Sequence, residues 1–334
     1  MQKAVVAIIL IVVIAMVGVG LWSFQDSQQS RAGKTASITI GTTAQELNTL
    51  LYIAEERNLF APGGLTVTLK YYDSGRAAVD GMLKNAVDLA AATEMVIVIE
   101  AFAGEPVRNM GTIARSQTGY LIGRTDQGIQ SISDLKGKKI SLPKGTIAEF
   151  HLARFLELHG MSAQQVSLVD VRDSQSVEPI TNGDVAAAVV RQPYAQEIRN
   201  LLGDRTAIWP VQSSQLFYWN VVGTDAWIAK HPDLVTRFLK SLAEAEEYLV
   251  RNPNDAKAIV QKRLEYEAAY LDLVWPEHHF SLSLDQSLVA AMQDEARWMI
   301  KNNLTPEKTI PDFVNYIYFA GLEAVKPNAM NIIR

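Results

Sequence analysis

The chain is 334 residues long, 48% hydrophobic, carries a formal charge of −5 and contains no cysteine. That length suits two domains rather than one core. The missing cysteines exclude disulfides, thiolate chemistry and Cys-based zinc sites. An acidic balance with no long basic run argues against nucleic acid, because phosphate binding needs clustered Lys and Arg. No cofactor is expected.

Met1-Gln2-Lys3 precedes a nearly all-apolar run, Ala4–Trp22. A run of ~18–20 apolar residues is long enough to cross a bilayer as a helix, and also matches a long signal-peptide core. Gly18-Val19-Gly20 offers small residues for cleavage. Residues 1–24 are therefore read as a signal peptide or a membrane anchor, with the choice left open. Lys3 favours a cytoplasmic N-terminus. A polar linker, residues 25–36, follows. The folded part is expected to be exported, in the periplasm or on the outer face of the cytoplasmic membrane.

Ser37–Gly41 alternates as a strand, and Thr43 with Glu46 has the spacing of a capping box opening a helix through Arg57. Leu65–Tyr72 is a second strand, leading through Asp73-Ser74-Gly75 to a helix ending near Lys84. Val87–Ala92 is a small-residue strand, followed by Thr93-Glu94, an apolar helix Met95–Ala103 and a strand Val107–Ile113. From Tyr120 the pattern restarts, with strands Tyr120–Gly123, Lys139–Leu142, Gln165–Val171 and Val185–Val190 and a return near Trp219–Val222. After Asp225 the chain reads as helical, with apolar stripes at Phe238, Leu239, Leu242, Ala245 and Leu249 and at Leu288, Met292, Ala296 and Ile300. Alternating strands and helices imply βα units, a mostly parallel sheet in each lobe, and ligands beyond the carboxyl ends of the strands. The expected division is lobe 1 over residues 37–119 and 224–334 and lobe 2 over residues 120–223. The crossings are placed near 116–121 and 220–225, and a hinge between the lobes would let them close on a ligand.

The most informative stretch is Ser131–Met161. A strand at Lys139–Leu142 runs through Pro143-Lys144-Gly145-Thr146 into a helix in which Thr146 and Glu149 have capping-box spacing. Such a loop aims backbone N–H groups and the positive end of a helix dipole at the strand end, where an oxygen-rich ligand would sit. It carries no catalytic group.

This segment, with its Asp134-Leu-Lys-Gly-Lys-Lys-Ile140, resembles the substrate-binding proteins of ABC importers of the nitrate/sulfonate/taurine type, a family that also includes thiamine-pyrimidine binders. The resemblance continues through Tyr52–Phe60, Asn182–Val190 with Gln192-Pro193-Tyr194, Lys230–Val235, Asn252–Ala256, and Pro311–Tyr318 with Leu322–Pro327, in the family's order, over residues 37–334. It implies a two-lobed periplasmic-binding-protein fold of type II kind. It also implies a receptor that captures a small polar organic molecule, nitrate/sulfonate/taurine-like or amine-bearing, and delivers it to an ABC permease and ATPase. The chain lacks the lipobox cysteine that anchors many such proteins.

Candidate cleft residues lie on five loops: Gln45 and Asn48; Ser74 and Gly75; Thr93 and Glu94; Gly145, Thr146 and Ile147 beside Lys144; Arg191 and Gln192. Each has a structural alternative. Ser74 is a helix cap, Glu94 a first-turn charge, Glu149 the partner of Thr146, and Arg191 one half of an ion pair. Trp209, Phe217, Tyr218 and Trp219 are either cleft walls or core. Glu94 and Ile147 stand where an alkanesulfonate binder would carry small hydroxyl residues, which points away from a plain sulfonate, taurine or nitrate. The adjacent His278 and His279 do not share a helix face and read as surface or interface residues, not as a metal site. A membrane-tethered sensory module is the alternative function. A pyrimidine-synthase-like enzyme is the third reading, disfavoured because those enzymes use a cysteine-rich motif; the chain is expected to have no catalytic residues.

Overall fold

The protein, a computed structural model, is described over residues 35–334 apart from 118 and 214. The N-terminal apolar run and most of the linker lie outside the described residues. β1 (Ala36–Thr42) buries Ile38 and Ile40 and is followed by a 3-10 turn, Glu46–Asn48, and α1 (Thr49–Glu56). Then come β2 (Leu65–Tyr71), α2 (Gly75–Leu83), β3 (Leu89–Thr93), α3 (Glu94–Ala103) and β4 (Val107–Ser116). The chain crosses to a second set, β5 (Gly119–Arg124), β6 (Lys139–Leu142), α4 (Ile147–Leu158), β7 (Ser167–Asp170), α5 (Val177–Asn182), β8 (Ala187–Arg191), α6 (Tyr194–Leu202) and β9 (Thr206–Pro210). It returns along β10 (Phe217–Thr224) to α7 (Asp225–Lys230), α8 (Pro232–Arg251), α9 (Pro253–Leu264), α10 (Ala268–Val274), the short edge strand β11 (His278–His279), α11 (Gln286–Lys301) and α12 (Phe319–Val325).

One sheet has the order β11-β4-β10-β3-β1-β2 and the other β7-β6-β8-β5-β9. Both are mixed, not mostly parallel. β1 runs parallel to β2 and β3, but β10 is antiparallel to β3 and β4; β6 is parallel to β7 and β8, but β5 is antiparallel to β8 and β9. Chain direction explains this. β4 leaves the first lobe and β10 re-enters it beside β4, so the two must oppose, and the same holds for β5 entering and β9 leaving the second lobe.

That topology also moves the return crossing. Trp219–Val222 does not end the second sheet; it lies in the first, pairing with β3 and β4, so the crossing falls at 211–216 and not at 220–225. Strand β9, which the sequence reading did not anticipate, takes the place assigned to β10. Both crossings are tied by one side chain. Gln212, buried, accepts from the Gly119 N–H at 2.8 Å and donates to the carbonyls of Ser116 and Gln215, each at 2.9 Å.

The first sheet is covered on both faces, which is why β3 reads as the unbroken run Leu89–Ala92 and all four of those residues are buried. Its core is a single cluster extending through α8 and α11, with Phe238, Leu239, Leu242, Leu288, Met292 and Ala296 fully enclosed. At about 1.5–3 kcal/mol for each large side chain, such burial dominates the stability of the lobe. The second sheet has separate clusters on its two faces. Helix α4 belongs to both lobes. Leu152, Phe155 and Leu156 face its own sheet, while Phe150 and Ala153 join the first lobe's core, with Phe150 edge-on to Trp298 at 5.6 Å. Lys301 bonds Glu157 at 2.7 Å along the same contact. Leu158, at the C-terminal end of α4, is exposed.

Candidate functional site in the interlobe cleft

The carboxyl ends of β1 and β8 face each other from opposite lobes. Just beyond β1 comes Glu46, and β8 ends at Arg191. Glu46 does not complete a capping box with Thr43: the helix begins with a 3-10 turn, no side chain caps it, and the Thr43 hydroxyl is buried without a partner. Instead the Glu46 carboxylate turns to the β11 edge, where Oε1 lies 3.2 Å from His278 Nε2, outside hydrogen-bond alignment. His278 Nδ1 in turn lies 2.7 Å from Ser116 Oγ, at the end of β4. Because residues alternate faces along a strand, His278 is buried while its neighbour His279 is exposed. Burial alone would raise the Glu46 carboxyl, but the adjacent His278 imidazole, and then Arg191 across the cleft, hold it below the usual carboxylate range.

Arg191 donates from Nε to Asp173 at 2.8 Å and from a terminal nitrogen to the Gln192 carbonyl at 3.1 Å, and lies over the Tyr194 ring at 5.5 Å. Burial opposes its charge, and Asp173 and Glu46 more than offset that opposition. Tyr266 and Tyr270 lie near both charges, edge to face with each other at 4.8 Å. Burial and the nearby Glu46 carboxylate push both phenols up, so each keeps its proton. A second bond spans the lobes: the Tyr120 hydroxyl of β5 donates to Glu277 Oε1, and burial raises that carboxyl. A cavity of about 600 Å³ opens farther out on the second lobe, lined by Asp170, Ser174, Glu178, Tyr194 and Glu197 among others. Among the described residues no cluster of three or more His, Asp or Glu side chains is placed to hold a metal ion, and no helix is long and apolar enough to cross a membrane.

The expected contacts divide sharply. Arg191 and Gln192 lie at the cleft, although the Gln192 side chain is bonded to the Gln196 N–H at 3.2 Å. Gln45 is buried at the head of the 3-10 turn. Asn48 is a strut: its Oδ1 accepts from Thr42 at 2.8 Å and from the Trp219 indole at 2.9 Å, and its amide donates to the Thr43 carbonyl at 2.7 Å. Ser74 is the cap of α2, bonded to the Ala77 N–H at 3.1 Å. Gly75 is needed for close approach, since a Cβ there would meet Ala92 Cα at 3.0 Å and the Trp219 ring at 3.2 Å. Thr93 sits at the strand end, paired with Trp219.

Glu94 is not an open cleft charge. It is fully buried and accepts the Tyr218 N–H at 2.9 Å, and burial raises its carboxyl to about 8. Glu295 on α11, also fully buried, is raised well above the ordinary range by burial and then by Glu94. The 144–147 loop is likewise already occupied. Glu149 accepts the Gly145 N–H at 2.7 Å and Asp170 accepts the Lys144 N–H at 3.0 Å, while Thr146 caps the Ala148 N–H just after Ile147. The aromatics Phe217, Tyr218 and Trp219 belong to the first lobe's core, and Trp209 packs against the second's. Glu46, Tyr266, Tyr270, Glu277 and Tyr120 were missed. The available signal was Glu46's position just past a strand end, which the capping-box spacing disguised.

A model of the family described as NMT1/THI5 like matches residues 47–256. The taurine-binding periplasmic protein of Escherichia coli (strain K12) is 24% identical over 211 residues, 60% of this chain and 63% of that protein. Among solved structures, the alkanesulfonate-binding protein SsuA from Xanthomonas axonopodis pv. citri bound to MOPS aligns with a TM-score of 0.73 at 16% identity, covering 86% of this chain and 99% of that one. The desulfurization enzyme DszB aligns with a TM-score of 0.64 at 14% identity, covering 88% and 99%. These likenesses establish the two-lobed binding-protein fold, which hosts both binders and an enzyme.

Proposed function

Because the chain belongs to the NMT1/THI5-like family, we propose that it is an extracytoplasmic solute-binding receptor that captures a small polar organic molecule between its lobes and presents it to an ABC importer. The observation that carries this reading is the cleft itself: opposed charged groups at strand ends of two lobes, walled by tyrosines and joined by crossings that share one buried glutamine. Lobes so joined can rotate toward each other, and a ligand that contacts both favours the closed arrangement. The partners in this reading are a permease and its ATPase, and the expected location is the periplasm, as the names of its relatives suggest.

The test uses the exported full chain with fractions of a bacterial small-molecule extract. A fraction that raises the melting temperature by mass action should also reduce the radius of gyration. A chain whose melting and scattering no fraction moves is not such a receptor.

A further inference from the structure

The first sheet ends in a very short strand, β11, whose His278 and His279 pair with Ser116 and Arg115 at the end of β4. A strand this short adds little to a sheet. We infer instead that the segment 275–279 is a strap across the hinge: it grips the outgoing crossing on both flanks and limits how far the lobes swing apart. β4 ends at Ser116 and β5 begins at Gly119, so this crossing is shorter than the return at 211–216. Glu277 holds it from both sides. Its carbonyl accepts the Gln117 N–H at 3.2 Å and the Ser116 hydroxyl at 3.3 Å, on the first lobe's side. Its carboxyl accepts the Tyr120 hydroxyl, on the second lobe's side. His278 completes the grip, with Nδ1 2.7 Å from Ser116 Oγ. Ser116 is fully enclosed, its carbonyl taken by Gln212 and its hydroxyl by the strap.

The strap has a firm back. Leu271 and Val274, just before it, have no exposed surface and belong to the first lobe's core. Trp275 packs on Phe280 at 4.9 Å, and His278 Nε2 lies 3.2 Å from Glu46 Oε1 in the turn after β1. Anchored this way, the strap moves with the first lobe. A rotation of the second lobe is then taken up beyond Gln117, and it strains the Tyr120–Glu277 bond directly. That bond is only as effective as the seat of Glu277, because a hydrogen bond weakens steeply once its partners are free to misalign. Ser116 and His278 provide the seat, and so act as positioning residues for a bond that neither of them makes.

The chain has no cysteine, so spin labels can be placed with Lys136→Cys in the second lobe and Lys240→Cys in the first, both exposed. Pulsed electron paramagnetic resonance then reads the interlobe distance distribution of the full chain. No solute is added, so the outcome is independent of the receptor reading. Ser116→Ala should lower the closed population about two- to tenfold, as loss of one hydrogen bond does. In a Tyr120→Phe background, where the strap has no bond left to the second lobe, the same change should have no further effect. Circular dichroism checks folding; if Ser116→Ala does not fold, His278→Phe removes the same contact from the strap's side and carries the comparison. An unchanged or more closed distribution in Ser116→Ala would mean that β11 does not restrain the hinge. An effect that adds in full to that of Tyr120→Phe would mean that the two residues act separately. Either result overturns the strap.

Discussion

The hydroxyl of Tyr120, in the second lobe, donates to the carboxyl of Glu277, in the first, beside the strand that holds His278 against Glu46. This is a polar bond between the lobes on the cleft side, whereas Phe150 against Trp298 joins them through α4 and α11. Replacing Tyr120 by Phe removes the bond and keeps the ring. With a net value of about 0.5–1.5 kcal/mol for such a bond, the closed population should fall roughly two- to tenfold. Small-angle scattering of the variant should give a larger mean radius of gyration than the wild type, and an unchanged profile would show that the bond has no part in closure.

Glu94 makes stability fall as pH rises. Its folded carboxyl titrates near 8 against an ordinary 4.5, so the folded chain holds a proton that the unfolded chain releases. The stabilisation is fully present below 4.5 and is lost as pH climbs through 8. His151 works in the opposite sense, because burial lowers it from 6.5 to about 3 and its stabilisation grows as pH rises between those values. The clean window is therefore pH 6.5 to 8. Urea unfolding should show the wild type losing stability across it, Glu94→Gln losing less, and Glu94→Gln with Glu295→Gln losing least. Equal slopes in all three would mean that neither acid is protonated in the folded state.

Gly75→Ala should destabilise by about 1–3 kcal/mol, the usual cost of overpacking. The added methyl meets Ala92 Cα, Ala92 Cβ and the Trp219 ring within 3.2 Å, and backbone on β3 has no room to give. Thermal unfolding checks this, and a variant as stable as wild type would show that α2 can slide away from β3.

Glu149→Gln tests the loop at the head of α4. The carboxylate both accepts the Gly145 N–H and complements the helix dipole, so its loss should cost about 1 kcal/mol in chemical unfolding. Response to the stabilising extract fraction should not change. A gain in affinity for an anion on freeing that N–H would restore the loop as a ligand contact.

The backbone elements were legible because periodicity and strand-end glycines are local properties. Lys139–Leu142 is a strand with the expected bounds, and Thr146 caps α4, although the expected reciprocal box is not formed: Thr146 takes the Ala148 N–H, and Glu149 takes the Gly145 N–H instead of that of Thr146. What failed was tertiary. The same Thr-x-x-Glu spacing occurs at Thr43 and Glu46, where a nonlocal partner, His278, took the glutamate instead. The sheet to which Trp219–Val222 belongs depends on which neighbours the returning chain meets, and composition carries no trace of that. Glu94 sits at a strand end just as Arg191 does, yet one is sealed beneath α11 and the other faces the cleft, a difference set by helices more than a hundred residues downstream.

The glutamine at the crossings couples the two segments that join the lobes. Gln212 bonds simultaneously to the outgoing segment at Ser116 and Gly119 and to the returning one at Gln215. Twisting either segment alone would break at least one of these bonds, at about 0.5–1.5 kcal/mol each, so the two crossings are coupled when the lobes move. A substitution at Gln212 would therefore be felt at both crossings at once, loosening the outgoing and the returning segment together.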